Sequence, residues 1–175
     1  MSLKIEEIEN IYLKYPHYRQ IKNFIETGTY MGNTCVNLSS MYNVLYTVDN
    51  NEDLYYLNID KYKSISNIHF YVDTSISFLN TLLPNIKEEN NIFFLDAHSY
   101  GDIHTPLIEE IELITHYISN SNSLNIFILN DVRLWNNFND WSEVTKENIL
   151  HIFVTHNINI LDHYEYNDKY IILTY

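Results

Sequence analysis

Carboxylates recur in this sequence at the ends of five successive apolar runs. Phe24-Ile25 runs into Glu26, Val44 to Val48 into Asp49, Ile68 to Val72 into Asp73, Asn91 to Leu95 into Asp96, and Asn125 to Leu129 into Asn130-Asp131. Oxygen donors so placed can do several kinds of chemistry. Asp49 stands about twenty residues past a glycine-bearing turn, where a carboxylate can accept both hydroxyls of a ribose; the competing role is capping the helix that follows. Asp96, Asn130 and Asp131 can converge on one hard divalent cation, which prefers carboxylate, amide and water oxygens. His98 lies two residues beyond Asp96, and histidine is the side chain suited to taking a proton near neutral pH; otherwise it is a structural histidine bonded to the backbone. His98, Asp102 and His104 would suggest a transition-metal site, although their spacing matches no standard triad.

The chain has three glycines, and two of them, Gly28 and Gly32, share one turn. Such a turn needs positive φ or close backbone approach. The spacing is Glu26-x-Gly28-x-x-x-Gly32, which is neither Gly-x-Gly-x-x-Gly nor a phosphate loop ending in Gly-Lys-Ser/Thr. Asp102, Arg133, Trp135 and Trp141 should flank the same face, with Arg133 held by an anionic substrate or by a neighbouring acid. Glu109, Glu110 and Glu112 read as a solvated helix face. Cys35 reads as a small buried apolar residue.

These residues need a frame. An amphipathic helix is expected over Leu3 to Leu13, ended by Pro16. Strands are expected at Asn23 to Glu26, Val44 to Val48, Ile68 to Val72, Asn91 to Leu95 and Asn125 to Leu129. The helices between them are Gly32 to Met41, Glu52 to Tyr62, Ile76 to Leu83 (stopped near Pro84) and Thr105 to Ile118, followed by Asp140 to Asn157. Asn159 to Tyr166 and Lys169 to Tyr175 form a hairpin turning at Asn167-Asp168. Right-handed crossovers make the first five strands parallel with helices on both faces, and the hairpin adds one antiparallel strand. The expected fold is α/β, a Rossmann-like three-layer sandwich. It is expected to be a single domain over residues 1–175, with 1–20 as a helical lead-in. In such a sheet ligands bind at the carboxyl ends of the strands, where the carboxylates lie.

Composition bounds the function. A formal net charge of −13 repels a nucleic-acid backbone. One cysteine allows no internal disulfide, which suits a reducing compartment. No apolar run reaches the roughly 18 residues of a membrane span, and residues 1–14 lack the pattern of a signal peptide. The expectation is a cytoplasmic protein with a small-molecule partner, no nucleic acid and no membrane; a homodimer could complete an open pocket.

Glu26-Thr27-Gly28-Thr29-Tyr30 resembles motif I of class I S-adenosylmethionine (SAM) dependent methyltransferases. Leu95-Asp96-Ala97-His98 and Asn130-Asp131 resemble the Leu-Asp-His and Asp-Asn of Mg²⁺-dependent O-methyltransferases, with Ala97 inserted and the second pair inverted. Together with Thr105-Pro106-Leu107-Ile108-Glu109-Glu110, the match is closer to a looser group of small methyltransferase-like proteins. The resemblance implies SAM as cofactor, with Mg²⁺ as a further expected ligand. It assigns Glu26, Gly28, Thr29, Asp49, Asp73, Ser75 and Asp96 to SAM, and Asp96, Asn130 and Asp131 to the metal. His98 and Asp96 carry the chemistry. Asp73 and Ser75 fall where the family contacts adenine, in competition with Thr74 or Ser75 capping the next helix. An acidic pocket suits a sulfonium and an ammonium better than a pyrophosphate. The expected activity is therefore methyl transfer to a hydroxyl of a small molecule or sugar. The alternatives are a non-catalytic module binding SAM or adenosine and, less favoured by the acidic turn, an NAD-linked oxidoreductase.

Overall fold

The computed structural model describes residues 2–98, 105–136 and 141–175. Asp102, His104 and Asp140 lie outside the described residues, and so does the suggested site pairing His98 with Asp102 and His104. The parallel strands are β1 (Asn23–Thr27), β2 (Val44–Asp49), β3 (Ile68–Val72), β4 (Asn91–Leu95) and β5 (Asn125–Leu129). Helices α1 (Ile5–Lys14), α2 (Asn33–Leu38), α3 (Glu52–Lys61), α4 (Ser75–Ile86), α5 (Leu107–Ile118) and α6 (Lys146–Thr155) alternate with them, and β6 (Ile160–Tyr166) and β7 (Lys169–Thr174) close the sheet. The strand order is β3-β2-β1-β4-β5-β7-β6. β7 runs antiparallel between β5 and β6, so the expected hairpin adds one reversed strand.

Continuous apolar runs make the central strands, because both faces are covered. In β4, Ile92 and Phe94 pack against a layer holding Ile8, Ile11, Cys35 and Leu38 from α1 and α2. Phe93 and Leu95 face the opposite layer, with Leu79, Ile111 and Phe153 from α4, α5 and α6. Helix α1 is tied to the sheet by a buried ion pair, Glu7 Oε1 to Lys169 Nζ at 3.2 Å. The hairpin turns through Asn167 (φ 49°) and Asp168 (φ 62°), the two left-handed residues that match the twist of paired strands.

Several expected boundaries move, among them those of α2, which ends at Leu38 rather than Met41, and of α4 and α6. Pro84 does not stop α4, which continues to Ile86. Proline removes one helical hydrogen bond, but the last turn buries Leu83 and Ile86 in the core, which outweighs that loss. Helix α6 starts at Lys146, where Thr145 caps it by accepting the Asn148 N–H, rather than near 140. Helix α3 is capped by Asn51, whose side chain accepts the Leu54 N–H at 3.1 Å. Asn51→Ala should cost about 1 kcal/mol, measured by urea unfolding; an unchanged midpoint would contradict that role. Among the described residues, no helix is long and apolar enough to cross a membrane.

Candidate functional site

Parallel pairing brings the strand tips level. Thr27 is in register with Val48 of β2 and with Leu95 of β4, so Gly28, Asp49 and Asp96 stand side by side one residue further on. The ladder continues past the strands: Asp73 N–H donates to Asp49 O (3.1 Å), Asp96 N–H to Thr27 O (3.0 Å) and Asn130 N–H to Leu95 O (3.1 Å). Gly28 adopts φ +88°, and a Cβ there would lie 2.4 Å from the Asp96 carbonyl oxygen. The glycine is required twice, by its dihedral and by the approach of β4.

In front of these tips lies a cavity of about 200 Å³ whose lining includes Gly28, Asp49, Asp73, Ser75 and His98. Asp49 is not a helix cap: its carboxylate accepts Tyr30 N–H (2.7 Å) and Asn51 N–H (2.9 Å), which orient it at the rim. Asp73 accepts the Ser77 hydroxyl at 2.7 Å, and Thr74 rather than Ser75 caps α4. Glu26, Thr29 and Asp96 are not part of this lining. Glu26 is 1% exposed and shares a sheet face with Phe24. Its carboxylate accepts the Thr47 hydroxyl (2.7 Å) and the Cys35 thiol (3.1 Å). Thr29 pairs with Thr47 at 2.6 Å, so a buried chain of hydroxyls links Glu26 to the glycine turn.

Burial raises the Glu26 pKa from 4.5 to about 7; hydrogen bonds from Thr47 and Cys35 oppose the shift and the charge of Asp96 adds to it. The native state therefore holds a proton that the unfolded chain releases above pH 4.5. This stability is present below pH 4.5, is lost as pH rises to 7, and amounts to an effect on the order of 3 kcal/mol. Glu26→Gln should remove that share, flattening the decline in unfolding free energy across this window. An unchanged slope in urea titrations would contradict it.

The second cluster lies at the tips of β4 and β5. Asp96, His98 and Asp131 offer ligand atoms all within 4.8 Å of one another. Asp131 Oδ2 lies 3.1 Å from His98 Nε2, and Asp96 Oδ1 is 3.9 Å from Nδ1. The His98 ring meets Trp141 edge to face at 5.5 Å. Asp131 is buried and left-handed (φ 59°), a strained conformation for a non-glycine residue. Arg133 pairs with Asp131 and with Asp168 from the hairpin turn, the neighbouring acids that were one of its two expected partners. Asn130 donates its amide N–H to Asp96 Oδ1 at 2.7 Å, and His98 lies between the Asp96 and Asp131 carboxylates. Burial raises the Asp96 pKa to about 6, against the Asn130 hydrogen bond, while Asp131 adds to the rise.

Glu110 corrects the expected solvated helix face. Glu109 and Glu112 are exposed, but Glu110 is fully buried. Burial raises its pKa to about 7; the nearby Ser75 and Thr27 hydroxyls ease the shift without reaching hydrogen-bond geometry.

No protein-family profile matches the sequence, and no curated protein matches it. Solved structures do. A putative caffeoyl-CoA O-methyltransferase from Staphylococcus aureus superposes over 99% of this chain and 85% of its own, at TM-score 0.62 and 14% identity. SMU.1697c, a putative methyltransferase from Streptococcus mutans in complex with S-adenosylhomocysteine (SAH), covers 94% and 96% at TM-score 0.58 and 17% identity. The Methanococcus jannaschii fibrillarin pre-rRNA processing protein covers 90% and 67% at 0.60 and 10%. The chain has the class I SAM-dependent methyltransferase fold. In this methyltransferase fold the reversed β7 between β5 and β6 closes the sheet, as in the hairpin expected from sequence. Glu110, Asp168 and Thr47, the partner of the expected Thr29, were missed as site residues.

Proposed function

We propose that this chain is a SAM-dependent methyltransferase acting on a hydroxyl of a small molecule or sugar. The observation that carries the reading is that His98 lines both the large cavity and the smaller one behind it, against Asp96 and Asp131. The large cavity suits SAM. Gly28 leaves bare backbone where a side chain would intrude, and Asp49 presents an oriented carboxylate for ribose hydroxyls. Asp73 and Ser75 line the side assigned to adenine. Glu26 acts on the methionine end through Thr47 and Thr29. SAM supplies an electrophilic methyl group on a sulfonium, and an acid-lined cavity favours that charge.

His98 takes the proton of the acceptor hydroxyl. Asp131 orients the ring and stabilises the imidazolium that forms. Trp141 walls the ring on one side, which helps keep the acceptor oxygen and the base aligned. The net charge of −13 favours a small-molecule acceptor over RNA, and a cytoplasmic setting belongs to the same proposal.

A second reading places a divalent cation such as Mg²⁺ on Asp96 and Asp131, with Asn130 or His98 as the third ligand; the 4.8 Å cluster favours it. The two separate on chelation. With His98 as the base, EDTA leaves turnover unchanged, whereas a metal-dependent reaction stops and is restored by Mg²⁺. Calorimetry tests the donor: SAM and SAH should bind one per chain and NAD should not. NAD binding would favour an oxidoreductase, and SAM binding without transfer to a broad hydroxyl panel would favour a non-catalytic module.

A further inference from the structure

Behind His98 lies a cavity of about 10 Å³, room for one water-sized group. Its lining includes Asp96, Thr105, Glu110, Asn130, Asp131 and Trp141. Among these lining residues, both Glu110 carboxylate oxygens, Asn130 Oδ1 and Thr105 Oγ1 are buried without a hydrogen-bond partner among the described residues. The three residues are 0%, 2% and 3% exposed. Buried polar atoms are nearly always paired, so this group points to an occupant. The orphans are oxygens, and acceptors predominate among them.

Charge narrows the occupant. Arg133 is the single Lys or Arg within residues 96–110 and 130–145, and it is committed to Asp131 and Asp168. The N-terminal end of α5 offsets part of the Glu110 charge, but Asp96 stands nearby and repels it. A cation is wanted. A primary ammonium is one heavy atom carrying three donors, which matches three acceptor side chains around a one-atom space. The Trp141 ring adds an aromatic wall, a surface that attracts cations.

We propose that this cavity seats a primary ammonium group carried by the acceptor, so that the substrate is an amine-bearing hydroxyl compound. The proposal rests on the methyltransferase reading. The ammonium is an anchor held by Glu110, Asn130 and Thr105, and a hydroxyl of the same molecule meets His98. Anionic acceptors are repelled by the same acids.

The test uses the SAH-loaded full chain and ligand-observed NMR titration with two triads matched in scaffold and differing in charge. These are tyramine, tyrosol and 4-hydroxyphenylacetate, and glucosamine, glucose and glucuronate. In at least one triad the amine should bind at least tenfold tighter than its neutral and anionic partners, about 1.4 kcal/mol. Glu110→Gln, which keeps the side chain's shape, should erase that preference. The N,N,N-trimethyl form of the amine, cationic but too large for the space, should bind like the neutral member. Equal or reversed preference overturns the proposal, as does no binding by either amine. So does saturable Mg²⁺ binding that Glu110→Gln removes while the amine shows no preference. SAH binding is measured first: its failure sinks the methyltransferase reading, whereas SAH binding without charge preference sinks the ammonium site alone.

Discussion

His98→Asn is expected to lower methyl transfer about 10²- to 10⁴-fold while leaving SAM affinity within a few-fold. Asn keeps a polar group of similar reach but cannot take a proton. The acceptor hydroxyl would then have to surrender its proton to water while the methyl bond forms. Asp131, 3.1 Å from the imidazole, would lose the partner whose developing charge it stabilises. The loss should appear in kcat, because His98 is one of several residues lining the donor cavity. Single-turnover rates with radiolabelled SAM, paired with calorimetric Kd values, check this. A variant that transfers at the wild-type rate would remove His98 as the base.

Gly28→Ala should be the most damaging single change to the donor cavity. The added methyl would sit 2.4 Å from the Asp96 carbonyl oxygen and 2.7 Å from its carbon, both backbone atoms with no rotamer to yield. The left-handed φ of +88° adds strain of its own. Either β1 or β4 must shift, and the tips of Asp49 and Asp96 would lose their common level. The expected cost is roughly 3 kcal/mol of folding stability, in the range of backbone strain combined with overpacking. SAM affinity should fall at least ~100-fold, equal to about 2.7 kcal/mol. Urea unfolding and calorimetry read the two effects separately. Wild-type stability with wild-type affinity would show that the close approach is not required.

The frame of the site was legible because its strands are apolar runs flanked by polar residues. β3, β4 and β5 begin and end where those runs do. What escaped the sequence depends on which way a side chain turns. Glu26 shares a sheet face with Phe24 and Thr47, so the period-two alternation of β1 sends it into the α2 layer rather than the cavity. Glu110 sits three residues after Leu107 and four before Ile114, on the buried stripe of α5. That helical spacing was the available signal, and the run of neighbouring acids obscured it. Asp168 was read only as a turn residue. Its grip on Arg133 follows from β7 landing beside β5, which local pattern cannot reveal.

A crystal of the full chain soaked with SAH tests the central claim most directly. The claim predicts SAH in the cavity fronting Gly28, its ribose hydroxyls on the Asp49 carboxylate and its sulfur toward His98. An empty cavity at saturating SAH, or SAH bound away from Asp49, would contradict it.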